Sequence, residues 1–165
     1  MKSLTIVTTW GPKYWPKPVQ AGIQSTVKNW PGHAKILLYP DDMSQQLDLP
    51  RTEYYDLCKE QPKLKEFIAR HKNNPKYNPR IKQNNKERKD FDKNTQIYIY
   101  DCVRFSYKVF ACIDAYQRTK PDMLWFLDAD IVTFEKIPML WLEHIIPCLL
   151  YTSDAADEGL GVDLG

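Results

Sequence analysis

The sequence predicts an α/β protein built on a mostly parallel sheet flanked by helices, and three observations carry that prediction. A β-branched run over 4–9 is followed by an apolar stripe at helical spacing and a second short apolar run, the β-α-β order that implies parallel strands. A long amphipathic pattern over 96–117 then leads into a third apolar run. That run, Met123-Leu124-Trp125-Phe126-Leu127, ends abruptly in Asp128-Ala129-Asp130.

Leu4 to Thr9, stopped by Trp10-Gly11-Pro12, reads as the first strand, with its carboxyl end facing a ligand. Tyr14-Trp15-Pro16-Lys17-Pro18 is stiff, because each proline fixes φ and disfavours helix in the residue before it, so helix begins only afterwards. Val19, Ile23, Val27 and Trp30 recur at spacings of four and three and draw one apolar stripe on a helix that Pro31-Gly32 ends. Ala34 to Tyr39 reads as the second strand. The carboxylates that follow it, Asp41 and Asp42, are adjacent, so in extended chain they point to opposite sides and read as turn residues.

Glu60 to Lys72 predicts a helix with Pro62 at its start and Leu64, Phe67 and Ile68 on one face. From Lys59 to Lys93 the chain carries 12 Lys or Arg against 5 Asp or Glu, a net of +7, and within it 73–94 is too polar and too long for an ordinary connection. This basic segment, 59–93, reads as an insertion or lid. Tyr77 and Phe91 interleaved with cations make a nucleic-acid groove the non-enzyme alternative. No recognition motif accompanies them, so a solvated charged loop is preferred and nucleic acid is not the expected partner.

Gln96 to Gln117 predicts a helix buried along a broad face by Ile99, Val103, Phe110 and Ile113, widened by Cys102, Phe105, Val109, Cys112 and Tyr116. Asp101, Arg104 and Lys108 form one polar row, either an intrahelical ion pair or cations turned towards a ligand. The apolar run over 123–127 suits a strand buried on both faces, as in the middle of a parallel sheet. Ligands of open α/β sheets bind beyond the carboxyl ends of the strands. Asp128 and Asp130, two apart in extended chain, would share a side there and converge on one divalent cation, Mg²⁺ or Mn²⁺, bridged to phosphate oxygens. A turn closing the strand is the plain alternative. Thr133 to Trp141, then Leu142, Ile145 and Ile146, read as a helix starting to cover the sheet, in which Glu143 and His144 are the candidate acid, base or late metal ligands and a solvated face is the preferred reading.

Trp125-Phe-Leu-Asp-Ala-Asp-Ile-Val132 resembles the Asp-x-Asp strand of a GT-A fold glycosyltransferase. Tyr100 to Ala111 resembles the helix before that strand in glycosyltransferase-like proteins of phage and environmental genomes, and Thr5 to Trp10 resembles their first strand. The resemblance implies a partial GT-A, Rossmann-like fold and metal-dependent transfer of a sugar from a nucleotide-diphosphate sugar to an acceptor that the sequence does not identify. It implies that Asp128 and Asp130 hold the metal, and that Asp128, Arg104 and Lys108 meet the diphosphate. The nucleoside would dock at the end of the first strand, where Thr8 and Thr9 offer hydroxyls or backbone groups and Tyr14 a ring. The enzymatic alternative is a haloacid-dehalogenase-type phosphatase with Asp128 as nucleophile and Asp130 as acid and base. That loop resembles a first-strand feature, whereas here a strand, a helix, another strand and a long helix precede it.

At 165 residues one domain is expected. The four cysteines, Cys58, Cys102, Cys112 and Cys148, show neither metal-ligand spacing nor a disulfide framework and read as reduced core thiols. No run approaches membrane-spanning length, and Met1-Lys2-Ser3-Leu4 leads straight into a strand, so a cytoplasmic protein is expected. The character changes at Pro147: the remainder has 4 acidic residues, no basic one and no period. Cys148 to Asp157 resembles the direct translation of a transposase-type sequencing adapter, and Val162-Asp163-Leu164-Gly165 fits its continuation. The expectation is therefore a donor-binding part over 1–147, net charge +6 from 23 basic and 17 acidic residues, followed by a non-native tail over 148–165. Such a fold, incomplete at its C-terminus, would bind donor weakly, catalyse nothing and expose apolar surface.

Overall fold

A computed structural model describes residues 2–74, 76–78 and 101–145. The expected helix start at 96–100 with Ile99, residues 75 and 79–93 of the basic segment with Phe91, Ile146 and the tail over 148–165 lie outside them. Nine elements are described: strand β1 (Leu4–Trp10), a 3-10 turn (Pro12–Tyr14), helix α1 (Lys17–Asn29), β2 (Lys35–Pro40), β3 (Thr52–Tyr54), α2 (Leu57–Glu60), α3 (Pro62–His71), α4 (Cys102–Thr119) and β4 (Met123–Phe126). A further helical stretch runs over 139–145. The fold is α/β. The four strands among the described residues lie in the order β3-β2-β1-β4, every neighbouring pair parallel, with helices on both faces.

Strand alternation explains the two layers. Leu4, Ile6 and Trp10 of β1 and Ile36 and Leu38 of β2 point to one face, where Val19, Ile23 and Trp30 of α1 meet them. Val7, Leu37 and Tyr39 point to the other face and meet Leu57 of α2, Leu64 of α3 and Ala111 and Ala115 of α4. Both faces of β1 and β2 are thus buried, and a parallel sheet needs that. β1 pairs with β2 in the register Thr5 to Lys35 through Trp10 to Pro40, and with β4 from Leu4–Met123 to Val7–Phe126. The strand order reverses between β1 and β4, which opens a crevice at their carboxyl ends.

Three expectations are corrected. β4 was expected in the middle of the sheet; among the described residues it is an edge strand, with Leu124, Trp125 and Phe126 half-buried, and β1 is central. The broad face of α4 was expected to be buried; instead Ser106, Ala111, Asp114 and Ala115 are, because the two alanines let the helix approach the sheet and Asp114 is paired with Tyr39. Phe105, Val109, Ile113 and Tyr116 point away from the sheet and stay exposed. The helix expected from Thr133 begins only at 139; residues 131–138 form instead an irregular strap across α1. Ser25 Oγ accepts from Thr133 N (2.9 Å), Trp30 Nε1 donates to Thr133 Oγ1 (3.0 Å), and Ile137 N donates to Asn29 O (2.9 Å). Among the described residues no helix is long and apolar enough to cross a membrane, and Cys58, Cys102 and Cys112 are free thiols.

Candidate functional site at the sheet's carboxyl end

α4 runs into the β1–β4 crevice with its N-terminus. Asp101 fixes that end as the N-cap: its side chain accepts from Arg104 N at 3.0 Å, satisfying one of the donors a helix start leaves unpaired. Asp101 is 2% exposed. Of the expected polar row, Asp101 is thus a buried cap, and Arg104 and Lys108 follow it one turn apart.

Those cations reach the residues that the sequence singled out. Arg104 Nη2 donates to Tyr14 Oη at 3.0 Å, which joins α4 to the 3-10 turn after β1. A hydrogen bond from Lys13, opposed by partial burial and helped by the Arg104 charge, holds the Tyr14 phenol below its ordinary value. One turn further on, the Lys108 ammonium forms an ion pair with Asp128 Oδ1 and lies 5.6 Å from the Phe105 ring and 5.2 Å from the Phe126 ring. Tyr14, Arg104, Lys108 and Asp128 thus form two linked pairs at one end of the sheet, drawn from three distant segments.

The Asp-x-Asp geometry departs from expectation. β4 ends at Phe126, pairing with β1 continues through Leu127 N to Val7 O at 2.9 Å, and the chain then turns, with Ile131 N donating to Asp128 O at 3.1 Å. Asp128 and Asp130 do not share the side of an extended strand; they lie on a turn just beyond it, both exposed. Gly22 of α1 makes that turn possible. A Cβ there would lie 2.2 Å from Ala129 O and 3.0 Å from Ile131 O, so only glycine admits the turn so close to the helix. Sequence reasoning passed over Gly22, for which the local pattern signals nothing but a helix weakened by about 1 kcal/mol.

Thr8 and Thr9 divide. Thr9 is half-buried at the strand end. Thr8 is 5% exposed, and its Oγ1 is, among the described residues, the one buried side-chain polar atom without a hydrogen-bond partner. It lines a cavity of ≈ 10 Å³ with Gly22, Thr26, Leu127, Asp128 and Ala129. That is water-sized, so Thr8 Oγ1 faces a small space shared with Asp128.

The two aspartates that follow β2 differ. Asp42 is the turn residue it was expected to be, its Oδ1 accepting from Ser44 N (2.9 Å) and Ser44 Oγ (2.7 Å), which lowers its carboxyl. Asp41 behaves differently. It remains open to solvent, yet it sits in a hollow near Gly11, Tyr107 and Cys58, and that crowding lifts its carboxyl above the ordinary value.

A divalent cation suits the donor set in one circumstance. Two exposed carboxylates are hard oxygen ligands, and Asp128 already holds a cationic group, the Lys108 ammonium. No cluster of three or more His, Cys, Asp or Glu occurs among the described residues, so of these side chains only Asp128 and Asp130 are offered there, and phosphate oxygens and water would complete the shell. Magnesium-type ions are commonly bound in that way. His144, through Nδ1 at 2.7 Å from Leu140 O, is engaged within its own helical turn. Compared with known proteins, the chain matches no family model, no curated protein and no solved structure. The functional reading therefore stands on the residues.

Proposed function

We propose that this chain is the nucleotide-sugar-binding part of a metal-dependent glycosyltransferase. One observation carries the reading: Tyr14, Arg104, Lys108 and Asp128 gather where the strand order reverses, the place at which doubly wound sheets bind nucleotides. When the bond from sugar to phosphate breaks, negative charge collects on the departing diphosphate. Groups that hold this charge more strongly in the transition state than in the ground state accelerate the step. Arg104 presents a planar fork to phosphate oxygens and Lys108 a point charge. Asp128 and Asp130 would hold the cation, whose chemistry when bound is to neutralise the same developing charge. Tyr14, braced by Arg104, offers a ring at the nucleoside end.

A thermal-shift panel of nucleoside diphosphates, each with and without Mn²⁺, tests the reading. Stabilisation by one or more diphosphates that needs Mn²⁺ and disappears in Asp128→Ala is expected. Stabilisation that is indifferent to Mn²⁺, or a metal response that survives Asp128→Ala, would rule it out.

A further inference from the structure

Lys108 is held more firmly than an exposed lysine needs to be. Its ammonium meets Asp128 Oδ1 and lies near two aromatic rings, Phe105 on its own helix and Phe126 at the end of β4. The ring faces attract a cation, and together with the carboxylate they fix it where a metal ligand must otherwise be free. Asp130, the second carboxylate of the turn, is exposed beyond it.

We propose that Lys108 occupies the cation position of Asp128 in the donor-free protein, so that free divalent metal is kept out and metal and diphosphate enter together. The proposal rests on the glycosyltransferase reading and adds to it an order of binding. A divalent ion arriving alone must displace the ammonium and then remain beside a second, uncompensated positive charge. An ion arriving with a diphosphate brings negative charge that gives the ammonium a new partner. Lys108 then passes from carboxylate to phosphate, and the same side chain both closes the empty site and completes the filled one. An exposed ion pair and two ring contacts are individually weak, so the exclusion is a bias.

Lys108→Met tests it, because methionine keeps the length and the ring contacts but removes the charge. Titration of the full chain with MnCl₂ alone, followed by calorimetry, should show Lys108→Met binding the ion about five- to tenfold more tightly than the unaltered chain, where tenfold corresponds to about 1.4 kcal/mol. In the presence of Mn²⁺ the same variant should bind nucleoside diphosphate more weakly. Adding Asp128→Asn should erase the gain in Mn²⁺ affinity. Lys108→Gln repeats the measurement should the methionine variant melt early. An affinity for Mn²⁺ alone that is unchanged or lower in both variants, or undetectable in all proteins, overturns the proposal. If Mn²⁺-linked diphosphate binding persists in the unaltered chain, only the exclusion has failed. If diphosphate binding ignores Mn²⁺, the glycosyltransferase reading has failed.

Discussion

Tyr107 sits on α4 beside Cys58 of α2 and near Asp41, and burial, reinforced by those two acidic groups, pushes its phenol up to about 12 from the ordinary 10.0. Tyr39 is shifted the same way, first by burial and then by its 2.8 Å hydrogen bond to Asp114. For such groups the folded chain keeps a proton that the unfolded chain releases. The stability they confer is complete below pH 10 and declines as pH rises from 10.0 towards 12. The urea midpoint should fall across that window, and Tyr107→Phe should make the fall shallower without removing it, because Tyr39 remains. An identical slope in Tyr107→Phe would refute the assignment. At this scale the sequence was legible where chemistry is local. Asp128 stood out by ending an apolar run, and Arg104 and Lys108 by their helical row. The hollow around Asp41 was not legible, since Gly11, Cys58 and Tyr107 come from three segments that only the fold brings together.

Between elements, the decisive contact is that of α1 with the turn after β4. Ser25, Asn29 and Trp30 hold the strap over 131–138, and Gly22 lets the carbonyl of Ala129 settle against the helix. In an open helix Gly→Ala gains about 1 kcal/mol of stability. Gly22→Ala should reverse the sign, because the new methyl would stand 2.2 Å from a backbone oxygen, and overpacking of this kind costs roughly 1–3 kcal/mol. Urea unfolding should show a net loss, and the Mn²⁺-linked response to diphosphate should weaken because Asp128 and Asp130 flank the displaced carbonyl. Gly32, with nothing within 4 Å of a new Cβ, is the control and should tolerate alanine. A stabilised Gly22→Ala would count against the close approach. Helices α1 and α3 were readable from their periodicity and from Pro62. β3 and α2 were missed because a three-residue strand and a four-residue helix are too short to show a period.

Over the whole molecule, the apolar residues outnumber the places that the described residues provide to bury them. β4 reads as a strand apolar on both faces, yet among the described residues it lies at an edge. Along α4, Phe105, Val109 and Tyr116 follow the spacing of four and seven that docks one helix on another, yet Val109 is 57% and Tyr116 55% exposed. Ile113 is exposed beside them, and Phe134, Leu140 and Trp141 lie bare on the strap and the helical stretch after β4. This is why the α/β class and the β-α-β order could be read from the sequence while the burial of α4 and β4 could not. Hydrophobic periodicity marks a face as suited to a partner, whether or not the described residues include one. Exposed surface of this kind binds hydrophobic dyes and promotes association. The native chain should therefore enhance the fluorescence of anilinonaphthalene sulfonate well below its melting temperature and should sediment with an apparent mass that rises with concentration. Val109→Ser combined with Tyr116→Ser should reduce both signals. It should change stability by no more than about 0.5 kcal/mol, as expected for side chains that bury little. Loss of several kcal/mol on that double substitution would mean that these residues are packed in solution, and a silent dye would mean that the stripe is covered.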